Sequence, residues 1–179
     1  QETTIHVGVA AWQWPSYFDP ETKMKGITLD IADWRRPSPE SAPVQAKAAG
    51  LYMICTLAKH TAERKGFQDA LMLDYRGYVA EATGANIFFL MNDGKIHTPK
   101  ADCFLDGITR RTVIELAKQA GLEVVERHIL PDELENAREA FLTGTAAEIT
   151  PISKIGDYNF KPDTACRTLV EAYTNVTNS

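Results

Sequence analysis

The chain has 179 residues, with 24 acidic and 19 basic side chains and a formal charge of −5; that length closes one sizeable core, burying about 70% of the surface the unfolded chain exposes. No basic stripe or aromatic-interleaved basic patch supplies the footprint of nucleic-acid binding. Cys55, Cys103 and Cys166 are odd in number, far apart and without metal-ligand spacing, which argues against a disulfide framework or a zinc site, and no apolar run approaches membrane-spanning length.

These features, with no charged-then-apolar leader at the start, predict a soluble protein of a reducing, cytoplasmic compartment. The chain opens on Gln1 and enters a strand-like pattern almost at once. That beginning predicts a fragment of something longer.

In chain order, Ile5, Val7 and Val9 alternate with Thr4, His6 and Gly8, which predicts a strand over 3–14 ended by Pro15. Ile27, Leu29 and Ile31 repeat the alternation and predict a second strand, closing at Trp34-Arg35-Arg36-Pro37 and pairing with the first. An irregular connector, Pro37 to Pro43, leads to Lys47, which stands among Ala46, Ala48, Ala49 and Gly50. Small neighbours let a lysine sit close to a flat ligand or another backbone. Leu51, Ile54, Cys55, Ala58 and Ala62 then fall at helical spacing, with Gly66 as the stop.

Ala70 to Leu73 reads as a short buried strand, and a second strand ends near Glu81. The clearest hairpin is Ile87 to Met91, the turn Asn92-Asp93-Gly94, then Lys95 to Thr98, closed by Pro99. Thr109 can cap a helix over 110–120 that Gly121 ends. A strand over 122–125, a short helix over 131–136 with Pro131 in first position, a strand over 148–152 and a final helix over 163–176 complete the reading.

Two stretches suit an anion. Gly107-Ile108-Thr109 lies just before a helix, whose free N–H groups and positive end favour phosphate. Gly144-Thr145-Ala146 supplies a glycine, a hydroxyl and small side chains. Glu81 precedes the small-residue run Ala82-Thr83-Gly84-Ala85. An amine, a carboxylate beside a small-residue loop and two anion-suited loops are the parts needed to hold pyridoxal phosphate. His97 and His128 sit at strand ends and read as structural, although either ring could serve as a base.

The runs Glu81-Ala82-Thr83-Gly84-Ala85-Asn86-Ile87-Phe88, Ile96-His97-Thr98 and Leu105-Asp106-Gly107-Ile108-Thr109-Arg110 resemble the signature of class IV pyridoxal-phosphate aminotransferases. Gln45 to Tyr52 and Gly144 to Pro151 make the resemblance closest to the branched-chain amino acid aminotransferases. It implies an α/β fold, a mixed sheet or pseudo-barrel with flanking helices, as in the C-terminal domain of the D-amino acid aminotransferase-like enzymes. Residues 1–179 would be that large cofactor domain, with the family's small N-terminal domain absent from the chain.

Carried over by position, the resemblance implies that Lys47 forms the Schiff base and moves the substrate α-proton. Tyr52 would meet the cofactor's phenolic oxygen and Glu81 its pyridine nitrogen, while Leu105 packs near the ring. Gly107, Ile108, Thr109, Gly144 and Thr145 would surround the phosphate, and Thr145 with Ala146 would receive the substrate carboxylate. Trp14 and Tyr17 would line an apolar side-chain pocket. Ala82, Ala85 and Leu51 depart from the residues more usual in the family, glycine, glutamate and asparagine; the departures bear on substrate preference more than on cofactor binding.

The implied activity is transamination of leucine, isoleucine or valine with 2-oxoglutarate, in a homodimer or larger assembly. Alternatives within the family are a D-amino acid or (R)-amine aminotransferase and an aminodeoxychorismate lyase. An alternative of another class is a non-catalytic cofactor-binding fragment.

Overall fold

Apolar alternation in the strands and three- and four-residue spacing in the helices place both around one curled sheet. The computed structural model describes residues 3–13 and 25–178. Nine strands form the sheet: β1 (Ile27–Arg36), β2 (Asp69–Asp74), β3 (Val79–Ala82), β4 (Asn86–Met91), β5 (Ile96–Pro99), β6 (Val124–Arg127), β7 (Ala137–Gly144), β8 (Glu148–Ile155) and β9 (Tyr158–Asn159). Among the described residues three α-helices flank it: α1 (Met53–Arg64), α2 (Ile108–Gln119) and α3 (Thr164–Thr177). The order across the sheet is β3-β2-β1-β8-β7-β4-β5-β6, with β9 beside β8. β1 runs parallel to both β2 and β8, and β5 parallel to β6; the remaining pairs are antiparallel.

The two ends of this order meet. Val79 of β3 donates its N–H to the carbonyl of Ile129, just past β6, at 2.8 Å, and the Tyr78 ring stacks on His128 with centroids 4.9 Å apart. The sheet is thereby curled into a half-barrel, as the family resemblance implies. Period-two alternation sorts its side chains. Ile87, Phe89 and Met91 point inward to a core shared with Leu29, Leu71 and Ile152, whereas Phe88 and Phe141 stack outward at 5.1 Å under α2 and α3. On the other flank Cys55, Ala58 and Ala62 of α1 close over Ala70 and Met72 of β2.

Several expectations are corrected. Residues 3–13 carry no regular structure, and Ile5, Val7 and Val9 are 86%, 88% and 96% exposed. An alternating pattern becomes a strand only against a neighbour that takes its hydrogen bonds and covers one face. The neighbours of β1 are instead β2 and β8, not the N-terminal segment. The short helix expected over 131–136 is present, as a 3₁₀ helix, whereas the strand expected over 122–125 is β6, two residues later. α2 is capped by Gly107, in extended conformation, with no side-chain cap; Thr109 already lies inside the first turn.

Candidate active site

At the ends of β3 and β7 and the beginning of β4, on the outer face between α1 and α2, lies a cleft of about 370 Å³. Lys47, Tyr52, Glu81, Leu105, Gly107, Ile108, Thr109, Gly144 and Thr145 all line it. Ala146 lies in the turn just beyond and does not line the cleft. Trp14 and Tyr17 fall outside the described residues.

Each wall follows from a local feature of the chain. The lysine loop is pinned by buried Val44 and by Gln45, whose amide donates to the carbonyl of Ala101 at 2.7 Å. Lys47 itself is exposed to the cleft and precedes a single 3₁₀ turn, Ala49–Leu51, that feeds α1. Tyr52 follows directly. Burial, and next the neighbouring Glu81, push its phenol above its ordinary acidity range, outweighing Arg36. The hydroxyl therefore keeps its proton and stays a donor.

Glu81 stands on β3 opposite Met72, hence on the face that α1 covers. Burial pushes its carboxyl up to about 8, against the opposing charges of Arg36 and Lys47. Arg36, only 3% exposed at the end of β1, brings its Nε to 3.3 Å from Glu81 Oε1, without the alignment of a hydrogen bond. Its Nη1 donates to the Leu51 carbonyl and to Cys55 Sγ, both at 3.2 Å. Asn86 Nδ2 reaches Glu81 Oε2 at 3.3 Å and the Leu105 carbonyl at 3.0 Å, while Asn86 Oδ1 accepts the Gly107 N–H at 3.2 Å. One amide thus joins the carboxylate to the turn that starts α2.

That turn is held from behind by Arg110, 2% exposed, which donates to Asp106 at 2.8 Å, the Pro99 carbonyl at 3.0 Å and Glu126 at 2.6 Å. The first N–H groups of α2 have no partner within the helix, and Ile108 and Thr109 present them at the cleft wall. Across from them the β7–β8 turn closes the cleft; among the described residues Glu148 is the one non-glycine with positive φ, at 53°.

Arg36, behind Glu81, and Asn86 and Thr143, which line the cleft, are buried polar residues without a role assigned from the sequence. Asn86 stands inside the matching motif, and an amide opening an apolar strand is the signal for it. Arg36 carries no signal, being distant in sequence from Glu81.

Other polar groups are spent on structure. Asp74, Asp102 and Cys103 lie close enough to hold a cation, but the guanidinium of Arg76 fills their centre, with Nη2 at 2.7, 2.8 and 3.3 Å from the three. His128 binds Asp102 at 2.8 Å. His97 accepts Arg127 Nε on Nδ1 at 2.8 Å, so its Nε2 carries the proton it donates to Asp93 at 2.9 Å.

Fold and cleft together define the class: an α/β half-barrel domain with a cleft at its strand ends, where an amine, a buried carboxyl group and the start of a helix converge. The chain belongs to the class IV aminotransferase family, whose model matches residues 1–155. A probable branched-chain-amino-acid aminotransferase of Rickettsia felis is 47% identical over 136 residues, 76% of this chain and 47% of its own length. A branched-chain amino acid aminotransferase from T.th., solved with pyridoxamine 5′-phosphate, superposes with a TM-score of 0.86 at 39% identity, covering 92% of this chain and 54% of that one. That of the archaeon Thermoproteus uzoniensis, solved with norvaline, gives 0.87 at 36% identity over 93% and 55%. The chain spans about half the length of the relatives it matches. No helix among the described residues is long and apolar enough to cross a membrane.

Proposed function

We propose that the chain is the cofactor-holding domain of an enzyme that transaminates branched-chain L-amino acids, leucine, isoleucine and valine, with 2-oxoglutarate, using pyridoxal 5′-phosphate. The observation that carries this reading is the meeting of Lys47, Tyr52, Glu81 and the Gly107–Thr109 turn around one cleft. The names of the relatives supply the substrate class.

The residues present fit the cofactor. At Gly107 an added Cβ would collide with Asn86, so only glycine leaves the turn its close approach. A buried hydroxyl at Thr143 lacks a partner among the described residues, and the donors at the α2 start suit a phosphate. Lys47 would hold the group through its amine, Glu81 at the ring nitrogen, Tyr52 at the ring hydroxyl, Ile108, Thr109 and Thr145 at the phosphate.

Once bound, pyridoxal phosphate supplies a carbonyl that links to amines and a ring that draws electron density from the attached carbon. The chain's own groups do the rest. Lys47 Nζ would remove the substrate α-proton and return it one position away. Glu81 would face the ring nitrogen and, when ionised, keep that nitrogen positive so that the ring can receive charge. Tyr52 donates its phenolic hydrogen bond, which its raised acidity range preserves. Thr145, which lines the cleft, would offer its backbone to the substrate carboxylate, with Ala146 in the turn just beyond.

The remaining half of the length of the relatives would complete the pocket walls, in a homodimer or larger assembly of the cytoplasm. The test uses the complete protein with pyridoxal phosphate: a visible absorption band, borohydride reduction and peptide mass should place the label on Lys47. A panel of both enantiomers should then show turnover with the L forms of leucine, isoleucine and valine. An unlabelled Lys47 sinks the cofactor reading; turnover of D-amino acids alone sinks the substrate reading.

A further inference from the structure

Three of the buried threonine hydroxyls hold partners within the fold. Thr83 donates to Asp69, Thr98 to the Ile87 carbonyl and Thr150 to the Ala147 carbonyl. Thr143 differs from these: it is 1% exposed, its Oγ1 has no hydrogen-bond partner among the described residues, and it lines the cleft. A buried hydroxyl without a partner costs stability and calls for one.

Its position limits what that partner is. In the β4–β7 ladder Thr143 stands directly across from Asn86, on the same outer face as Phe141, two residues before it. The Asn86 side chain cannot serve it, being committed to Glu81, Leu105 and Gly107. Glu81 meets Asn86 from β3, and the cleft that Thr143 lines is lined as well by Gly107, Ile108 and Thr109, with Thr145 two residues further along its own chain.

We infer that Thr143 is a further phosphate-binding residue, donating its hydroxyl to an oxygen of the cofactor's phosphate. The inference rests on the pyridoxal phosphate reading and adds a donor to it. It makes the orphaned hydroxyl a feature kept for the ligand, with stability given up in the cofactor-free protein.

The test titrates the complete protein, stripped of cofactor, with pyridoxal phosphate and separately with pyridoxal, which lacks the phosphate, and follows melting of the stripped protein. Thr143→Val should raise the Kd for pyridoxal phosphate roughly tenfold, leave pyridoxal within about twofold, and melt at the same temperature as the parent or higher. Thr143→Ser should bind as the parent does. Unchanged pyridoxal phosphate affinity in Thr143→Val overturns the inference, as does equal weakening of both ligands, which would put the hydroxyl at the ring. A melting point several degrees lower would also overturn it, showing the hydroxyl already partnered. A parent protein that takes up neither ligand would instead sink the cofactor reading itself.

Discussion

Asn86 Oδ1 accepts the backbone N–H of Gly107 at 3.2 Å, and the same oxygen stands where a Cβ on residue 107 would have to go. The glycine is required for space, since its backbone, at φ −64° and ψ 144°, suits any residue. Asn86 cannot simply yield, because its Nδ2 holds Leu105 and Glu81. Gly107→Ala should therefore cost about 1–3 kcal/mol of stability and weaken pyridoxal phosphate binding at least roughly tenfold. Adding Asn86→Ala should restore part of the affinity lost, since the collision disappears. Strict additivity of the two changes in a double-mutant cycle would contradict this account.

The pH dependence of the cofactor-free protein follows from Glu81. Its folded-state value of about 8 lies above the ordinary 4.5 because burial opposes its ionisation. Between those values the folded chain holds a proton that the unfolded chain has released, so stability falls as pH rises from about 5 to about 8 and is level beyond. Glu81→Gln should remove that slope and make the cofactor-free protein more stable than the parent at pH 9, measured by denaturant unfolding across pH. In the loaded enzyme the same change should lower kcat on the order of a hundredfold or more, since an amide cannot hold the ring nitrogen positive. A parent whose stability rises over that pH range would refute the assignment.

Much of this arrangement is legible in the sequence because it is local. The hairpin at Asn92-Asp93-Gly94 and the glycine before α2 are signed by the residues that form them. Thr109 reads as the cap because a threonine before an apolar helical face has the right chemistry, but it comes too late in the chain, and Gly107 takes the cap. What stays hidden is non-local. Arg36 reaches Glu81 only because β1, β2 and β3 lie side by side, and a parallel pairing across an intervening helix leaves no mark at either residue. The alternation over 3–13 carries the pattern of a strand, but a pattern specifies a face without naming what covers it.

Arg110 shows how far the cleft depends on one buried cation. Its three bonds span Asp106 in the turn, Pro99 at the end of β5 and Glu126 on β6. A lysine ammonium is a single point donor without the guanidinium's fork and cannot reach all three. Arg110→Lys should destabilise the fold by about 2–4 kcal/mol and weaken cofactor binding through the loosened Asp106-Gly107 turn. Denaturant unfolding and a cofactor titration measure the two effects. Lost stability with unchanged cofactor affinity would show that Arg110 does not position the turn.

Glu139 makes a comparable case away from the cleft. It is 4% exposed in the middle of β7, where a carboxylate has no business on hydrophobic grounds. Three backbone N–H groups at the start of α3 account for it: Asp163 and Cys166 donate to Oε2 at 3.0 and 2.9 Å, and Ala165 to Oε1 at 3.3 Å. Asp163, the residue at the cap position, makes no side-chain cap of its own, so a strand residue 24 positions earlier supplies the negative charge the helix end favours. Glu139→Ala removes the acceptor and strands three donors, which should cost about 2–4 kcal/mol. Glu139→Gln keeps one carbonyl acceptor but turns an NH₂ toward the remaining N–H groups, so it should recover less than half of that loss. Because α3 packs Cys166 and Leu169 against Phe88 and Phe141, hydrogen exchange should rise first in α3 in both variants. Full stability in Glu139→Ala would mean that water caps the helix as well as the carboxylate does.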